Sequence, residues 1–154
     1  MALKLAFLTG SRSEYGLAKA LLVGFQRDSR FALEVIPNGM HLLHKFGLTI
    51  DEIRDDGFYI PDCVNTYSEM GDPKYLEFGR TLERMSEALE KHSPDVVFVI
   101  GDRLESYASA LAAHFAGIPI VHSGGGHITE GAVDNIYRYS ISNLASLHFA
   151  TSRK

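Results

Sequence analysis

With 154 residues, 45% of them apolar and 22% charged, the chain has the size and balance of one soluble globular domain, able to bury roughly two thirds of its unfolded surface. A formal net charge of −4 argues against a nucleic-acid or anionic-membrane surface. The single cysteine, Cys63, cannot form an internal disulfide; it suits a reducing cytoplasm and reads as a small apolar filler.

The opening MALKLAFLTGSRSEYG holds an apolar run too short for a signal peptide or a membrane span. Leu3–Thr9 reads instead as a buried strand entering Gly10-Ser11-Arg12-Ser13. Ser13 then caps a helix over Tyr15–Phe25, with Leu17, Ala20, Leu21 and Phe25 on one face. Phe31–Pro37 is a second strand, ending in Asn38-Gly39-Met40-His41. A short helix is expected near Thr49–Asp55, with Thr49 as cap and Glu52 as its capping-box partner. Phe58–Val64 reads as a short strand and the polar Asn65–Pro73 as a loop. A long amphipathic helix, Pro73–His92, should bury Leu76, Phe78, Leu82, Met85 and Leu89. Strand Val96–Ile100, helix Leu104–Phe115 and strand Ile118–Val121 form a βαβ unit, which forces its two strands parallel. A helix over Val133–Leu147 with Ile136, Tyr139, Ser140 and Leu144 on one face, and a last strand from His148 to Thr151, complete the pattern. No internal repeat or low-complexity linker interrupts it.

This order predicts an α/β fold: a Rossmann-like, doubly wound parallel sheet with helices on both faces. No GxGxxG follows the first strand, which disfavours dinucleotide binding. Ligands of such sheets bind beyond the carboxyl ends of the strands, so the residues there are the candidates. Gly10-Ser11-Arg12 is either an anion site, built from backbone N–H groups and a cation, or an ordinary turn. Asp102 is either the N-cap of the following helix or a carboxylate held ionised for base chemistry. Arg103 is placed to orient Asp102 or to bind phosphate. His122 and His127 bracket three glycines that let backbone approach a ligand closely; no third ligand has the spacing of a metal site. Asp134 either pairs with Arg138 at i+4 or faces Asp102 across the sheet edge, where two carboxylates suit paired acid/base work. His41 follows a strand end and can reach the cleft, whereas His44 should face solvent.

Four stretches, GSRSEYGLAKALL (Gly10–Leu22), NGMHLLHKFGLTIDEI (Asn38–Ile53), GDRLESYASALAA (Gly101–Ala113) and HSGGGHITEGAVDNIYRYSISNLASLHFATS (His122–Ser152), in this order and over nearly the whole chain, resemble the hydrolysing UDP-N-acetylglucosamine 2-epimerases, including the branches feeding sialic-acid and legionaminic-acid synthesis. The resemblance implies that residues 1–154 are the N-terminal Rossmann-like half of a two-domain enzyme of glycosyltransferase-B type, whose second domain binds most of the nucleotide. It implies a cytoplasmic homodimer, no metal or redox cofactor, and a UDP-sugar substrate that loses UDP to a glycal-like intermediate before water adds to give a 2-epimer such as N-acetylmannosamine. By position it assigns Asp102, Asp134 and His127 to catalysis, and Arg12, His41, Arg103, His122, Gly125, Gly126 and Arg138 to substrate binding. Two departures stand out. Gly124 occupies the place of a usual catalytic glutamate, and His127 that of a frequent second acid; an imidazole, titrating near neutrality, can take over such duty. Asn135 also replaces an acid seen in some members.

Overall fold

In the computed structural model, which describes residues 1–150, five parallel strands form one sheet in the order β2-β1-β3-β4-β5. The strands are β1 (Leu3–Thr9), β2 (Phe31–Pro37), β3 (Val96–Ile100), β4 (Ile120–Ser123) and β5 (Leu147–Phe149). β1 and β3 are buried on both faces, as their unbroken apolar runs require. Alternate side chains serve two cores. Ala6, Leu8, Val97 and Val99 pack under helices α3 (Lys74–His92), α4 (Leu104–Phe115) and α5 (Asp134–Leu144). Leu5, Phe7, Phe98 and Ile100 pack under α1 (Arg12–Arg27) and the short α2 (Ile50–Asp55). The sheet is thus doubly wound as expected. None of the helices among the described residues is long and apolar enough to cross a membrane.

Several local expectations are corrected. Phe58–Val64 is not a strand: it meets β2 only at its two ends, where the Val35 N–H bonds the Tyr59 carbonyl and Val64 bridges Asn38, because Pro61 lacks a donor and Asp62 takes the Cys63 N–H with its own side chain. Cys63 is exposed, so it fills no core. The cap of α1 is Ser11, not Ser13, with Glu14 completing a capping box. Its buried face is Tyr15, Ala18 and Leu22, while Leu17, Ala20 and Leu21 face out. Thr49 stands at the cap position of α2, as expected, but makes no capping bond; its hydroxyl bonds His41 and Glu52 bonds Arg12 instead. Leu76 of α3 is exposed. In α5 the buried residues are Arg138 and Ile141, while Ile136 and Tyr139 point outward. That helix ends at Leu144 because Ala145 is extended and the Ser146 N–H joins Ile120 at the sheet. The expected strand 118–121 is shifted to Ile120–Ser123, and the last strand is Leu147–Phe149; Thr151 lies outside the described residues.

Candidate active site

The strand order reverses between β1 and β3: the chain runs from β1 outward to β2, then returns to place β3 on the other side of β1. At this switch point, the usual ligand crevice of an open parallel sheet, the turn after β3 carries Gly101, Asp102 and Arg103. Asp102 does not cap α4. Arg103 occupies the cap position, with extended backbone and no side-chain cap bond. The Asp102 carboxylate pairs instead with the guanidinium of Arg138, which α5 holds 6% exposed. Arg138 therefore does not pair with Asp134; it reaches across to β3 and anchors the candidate base.

Arg138 also fastens the glycine-rich loop. Its Nη1 donates to the His127 carbonyl at 2.9 Å and to Asn135 Oδ1 at 2.8 Å. Asn135 in turn accepts from the Thr129 N–H and donates to the Thr129 carbonyl. An amide is needed here, since a carboxylate would lack the second half of that exchange. His127 is exposed on this loop. His122 lies beneath it, 1% exposed, with Nε2 2.8 Å from the Gly101 carbonyl and Nδ1 3.0 Å from Ser142 Oγ. The carbonyl only accepts, so Nε2 carries the proton, and burial pulls the ring below its ordinary pKa. His122 thus reads as a neutral brace between β3, β4 and α5. Gly125 passes directly over it: an added Cβ would stand 2.6 Å from Ser142 Oγ and 3.3 Å from His122 Nδ1. Gly124 has φ +90°, a backbone that an L-glutamate would rarely adopt, so its conformation matches the lost carboxylate. Gly126 is exposed in the same loop.

Two glutamates, neither of them named by the sequence analysis as site residues, lie under the switch point. Glu14, 4% exposed, accepts the N–H groups of Gly10 at 2.8 Å and Ser11 at 3.2 Å, and the Ser106 hydroxyl. Burial, and next the nearby Glu105 charge, push its pKa up to about 7. Glu105, 1% exposed, accepts Arg103 Nε at 2.6 Å and the Tyr67 hydroxyl at 2.8 Å. The turn's own donors are therefore taken by Glu14, and Gly10-Ser11 is no empty anion cradle. Arg12 points away, 2.7 Å from Glu52, with its side chain 70% exposed. The S-x-x-E spacing Ser11–Glu14 carried a signal for the first glutamate; nothing in a single sequence marks the second.

His41 is fully buried, 3.1 Å from Thr9 Oγ1 and 2.8 Å from Thr49 Oγ1. Desolvation lowers its pKa to about 4, so it is a neutral core residue at the cleft floor rather than a side chain open to ligand. His44 is exposed as expected. Asp134 opens α5 and lines a cavity of about 300 Å³ shared with Tyr67, Lys74, Arg103, Glu105 and Tyr137. Among the described residues no cluster of His, Cys, Asp or Glu could hold a metal ion.

The architecture is that of the Rossmann-like half of a glycosyltransferase-B-type enzyme. A crystal structure of UDP-N-acetylglucosamine 2-epimerase superposes on it with a TM-score of 0.85, at 22% identity over 97% of this chain and 42% of that one. A family model described as UDP-N-acetylglucosamine 2-epimerase matches residues 24–154, and the chain belongs to that family. It is 35% identical to the UDP-N,N'-diacetylbacillosamine 2-epimerase (hydrolyzing) of Legionella pneumophila, over 99% of this chain and 41% of that protein. It is 33% identical to the GDP/UDP-N,N'-diacetylbacillosamine 2-epimerase (hydrolyzing) of Campylobacter jejuni, over 96% of this chain and 39% of that protein. The chain thus spans about two fifths of the length of these relatives.

Proposed function

We propose that this chain is the catalytic N-terminal domain of a hydrolysing 2-epimerase acting on a UDP-2-acetamido sugar. In this reading a carboxylate takes the proton from C2 while the C1–O bond breaks and its electron pair leaves with UDP. Water then adds to the glycal, hydroxyl to C1 and a proton to the opposite face of C2, giving the free 2-epimer. Asp102 and Asp134 supply the carboxylates, and His127 serves the proton transfer that other members give to an acid. The observation that carries the reading is the Asp102–Arg138 pair at the switch point: the buried guanidinium fixes the carboxylate's position and aim, as a base removing a carbon-bound proton requires. Arg103, His122, Gly125 and Gly126 shape the sugar site, with His41 supporting its floor. Arg12 remains the cation for the phosphates, since an exposed pair such as Arg12–Glu52 is worth at most about 1 kcal/mol and exchanges readily. The uridine falls to a second domain in the native-length protein, which we infer to be a cytoplasmic homodimer.

Proton NMR of UDP-N-acetylglucosamine with the native-length protein in D₂O tests this. Free UDP and a 2-epimerised sugar deuterated at C2 are expected, and Asp102→Asn should slow both by about 10²-fold or more. Binding without turnover of this or the diacetamido substrate would instead support a non-catalytic sugar-nucleotide domain, the reading that Gly124 favours.

A further inference from the structure

Asp102 is pinned from α5 by Arg138. Its neighbour Arg103 is pinned from α4, by a carboxylate that the proposed chemistry does not use. Glu105 stands in the first turn of α4, 1% exposed, where the turns after β1, β2 and β3 meet. An added Cβ on Gly10 would stand 2.2 Å from its Cγ, and one on Gly39 3.6 Å from the same atom. Glu105 Oε1 accepts Arg103 Nε at 2.6 Å, and Oε2 accepts the hydroxyl of the buried Tyr67 at 2.8 Å. Both oxygens are occupied and enclosed, which leaves Glu105 no open face for substrate or for a proton from carbon. Service to the helix dipole does not explain it, because an acid in the first turn serves as well from the surface. Nor does stability: a desolvated carboxylate is costly, and an apolar side chain of similar shape often holds a fold as well. What the carboxylate does is fix a cation. With Nε held, the Arg103 fork has one orientation, and its side chain is left 37% exposed. Among the described residues its Nη2 faces only the Met40 sulfur at 3.7 Å, a weak acceptor, so donors remain for a ligand oxygen.

We propose that Glu105 is a positioning residue of the candidate site: buried beneath the three turns and steadied by Tyr67, it fixes the guanidinium of Arg103 for substrate without touching substrate itself. The proposal rests on the 2-epimerase reading, in which Arg103 belongs to the substrate site, and adds the residue through which that cation is aimed. Arg138 and Glu105 then hold adjacent residues of one turn from two different helices.

The test is a double-mutant cycle on the native-length protein, read in kcat/KM on UDP-N-acetylglucosamine, or on UDP-N,N'-diacetylbacillosamine where only that is turned over. Glu105→Gln keeps an acceptor for Arg103 Nε and a partner for Tyr67 but loses the charge; it should lower kcat/KM about tenfold. Glu105→Met, which holds neither partner, should lower it further. Placed on Arg103→Ala, either change should cost less than about twofold more, because the cation it positions is gone. A merely structural role predicts the opposite: the same further loss with or without Arg103. That additive result, or Glu105→Met no worse than Glu105→Gln, overturns the proposal. If the Glu105 variants fail to fold, Tyr67→Phe, which removes one of the carboxylate's two partners, decides by the same cycle. Binding without turnover would sink the epimerase reading alone, and the cycle is then read in Kd for the UDP-sugar, where coupling upholds the positioning role and additivity overturns it. No binding of either UDP-sugar overturns both.

Discussion

Glu14 holds two positions at once: it closes the capping box of α1 and sits, buried, beside Glu105. Its raised pKa makes a definite pH signature. The folded state binds the Glu14 proton more tightly than the unfolded chain, so this contribution is present below pH 4.5 and is lost as pH rises through about 7. His41 has the opposite sign. Its folded pKa of about 4 lies below the ordinary imidazole value of 6.5, so its contribution is present above pH 6.5 and is lost as pH falls towards 4. Between 4.5 and 6.5 the two slopes, each at most about 1.4 kcal/mol per pH unit, offset one another. Glu14→Gln keeps an acceptor for Gly10 and Ser11 and removes one slope. Thermal melts of the variant should then gain stability from pH 5 to 7 more steeply than the parent, and at pH 8 the variant should be the more stable. Parallel profiles would refute the assignment. At this scale the sequence was legible where a residue's neighbours along the chain define it, as with the exposed His44, although of two nearby serines it favoured Ser13 over Ser11 as the cap of α1. It was silent where partners come from far away: Asp102 meets Arg138 thirty-six positions on, and no local rule distinguishes that from a helix cap.

The glycine-rich loop is a cover fitted to a brace. Arg138 and Asn135 tie its far end to α5, and Gly125 rests on the His122–Ser142 pair. Gly125→Ala should therefore cost about 1–3 kcal/mol through overpacking. Most of that loss should be recovered in the Gly125→Ala, Ser142→Ala double variant, because the 2.6 Å contact is with the Ser142 hydroxyl. Additive losses in a double-mutant cycle followed by thermal melts would count against the fit. Element types and ends were readable from apolar runs broken by Gly and Pro; helix faces were less so. In α1 Leu17 and Leu21 face out while Leu22 alone of the leucines faces in, beside Tyr15 and Ala18, because the sheet they meet selects that side. A count of apolar residues cannot see that partner. Phe58–Val64 failed for the opposite reason: its residues look strand-like, but Pro61 denies the sheet its donor.

At the scale of the molecule the doubly wound sheet follows from the alternation of short apolar runs with amphipathic stretches, which allows few topologies once right-handed crossovers are required. The candidate site stands at the carboxyl ends of the strands, with its candidate carboxylates in the turn after β3 and at the start of α5, and the proposed uridine contacts lie in another domain. UDP release by residues 1–154 alone should accordingly fall at least 10²-fold below that of the native-length protein; comparable rates in a coupled UDP assay would remove the need for the second domain.

The place of β1 between β2 and β3 has a further consequence, for the order in which the protein is made. β1 pairs on one side with β2, Leu3 opposite Phe31, and on the other with β3, Leu5 opposite Val96. During synthesis the first pair is complete once Pro37 is added, but the second neighbour is finished only at Ile100. At about 5–20 residues per second, that leaves a largely apolar strand with one bare edge for about 3–13 seconds on the ribosome. For that interval the nascent chain carries an adhesive surface that the finished protein conceals, so the burden of avoiding aggregation falls on translation rather than on the native state.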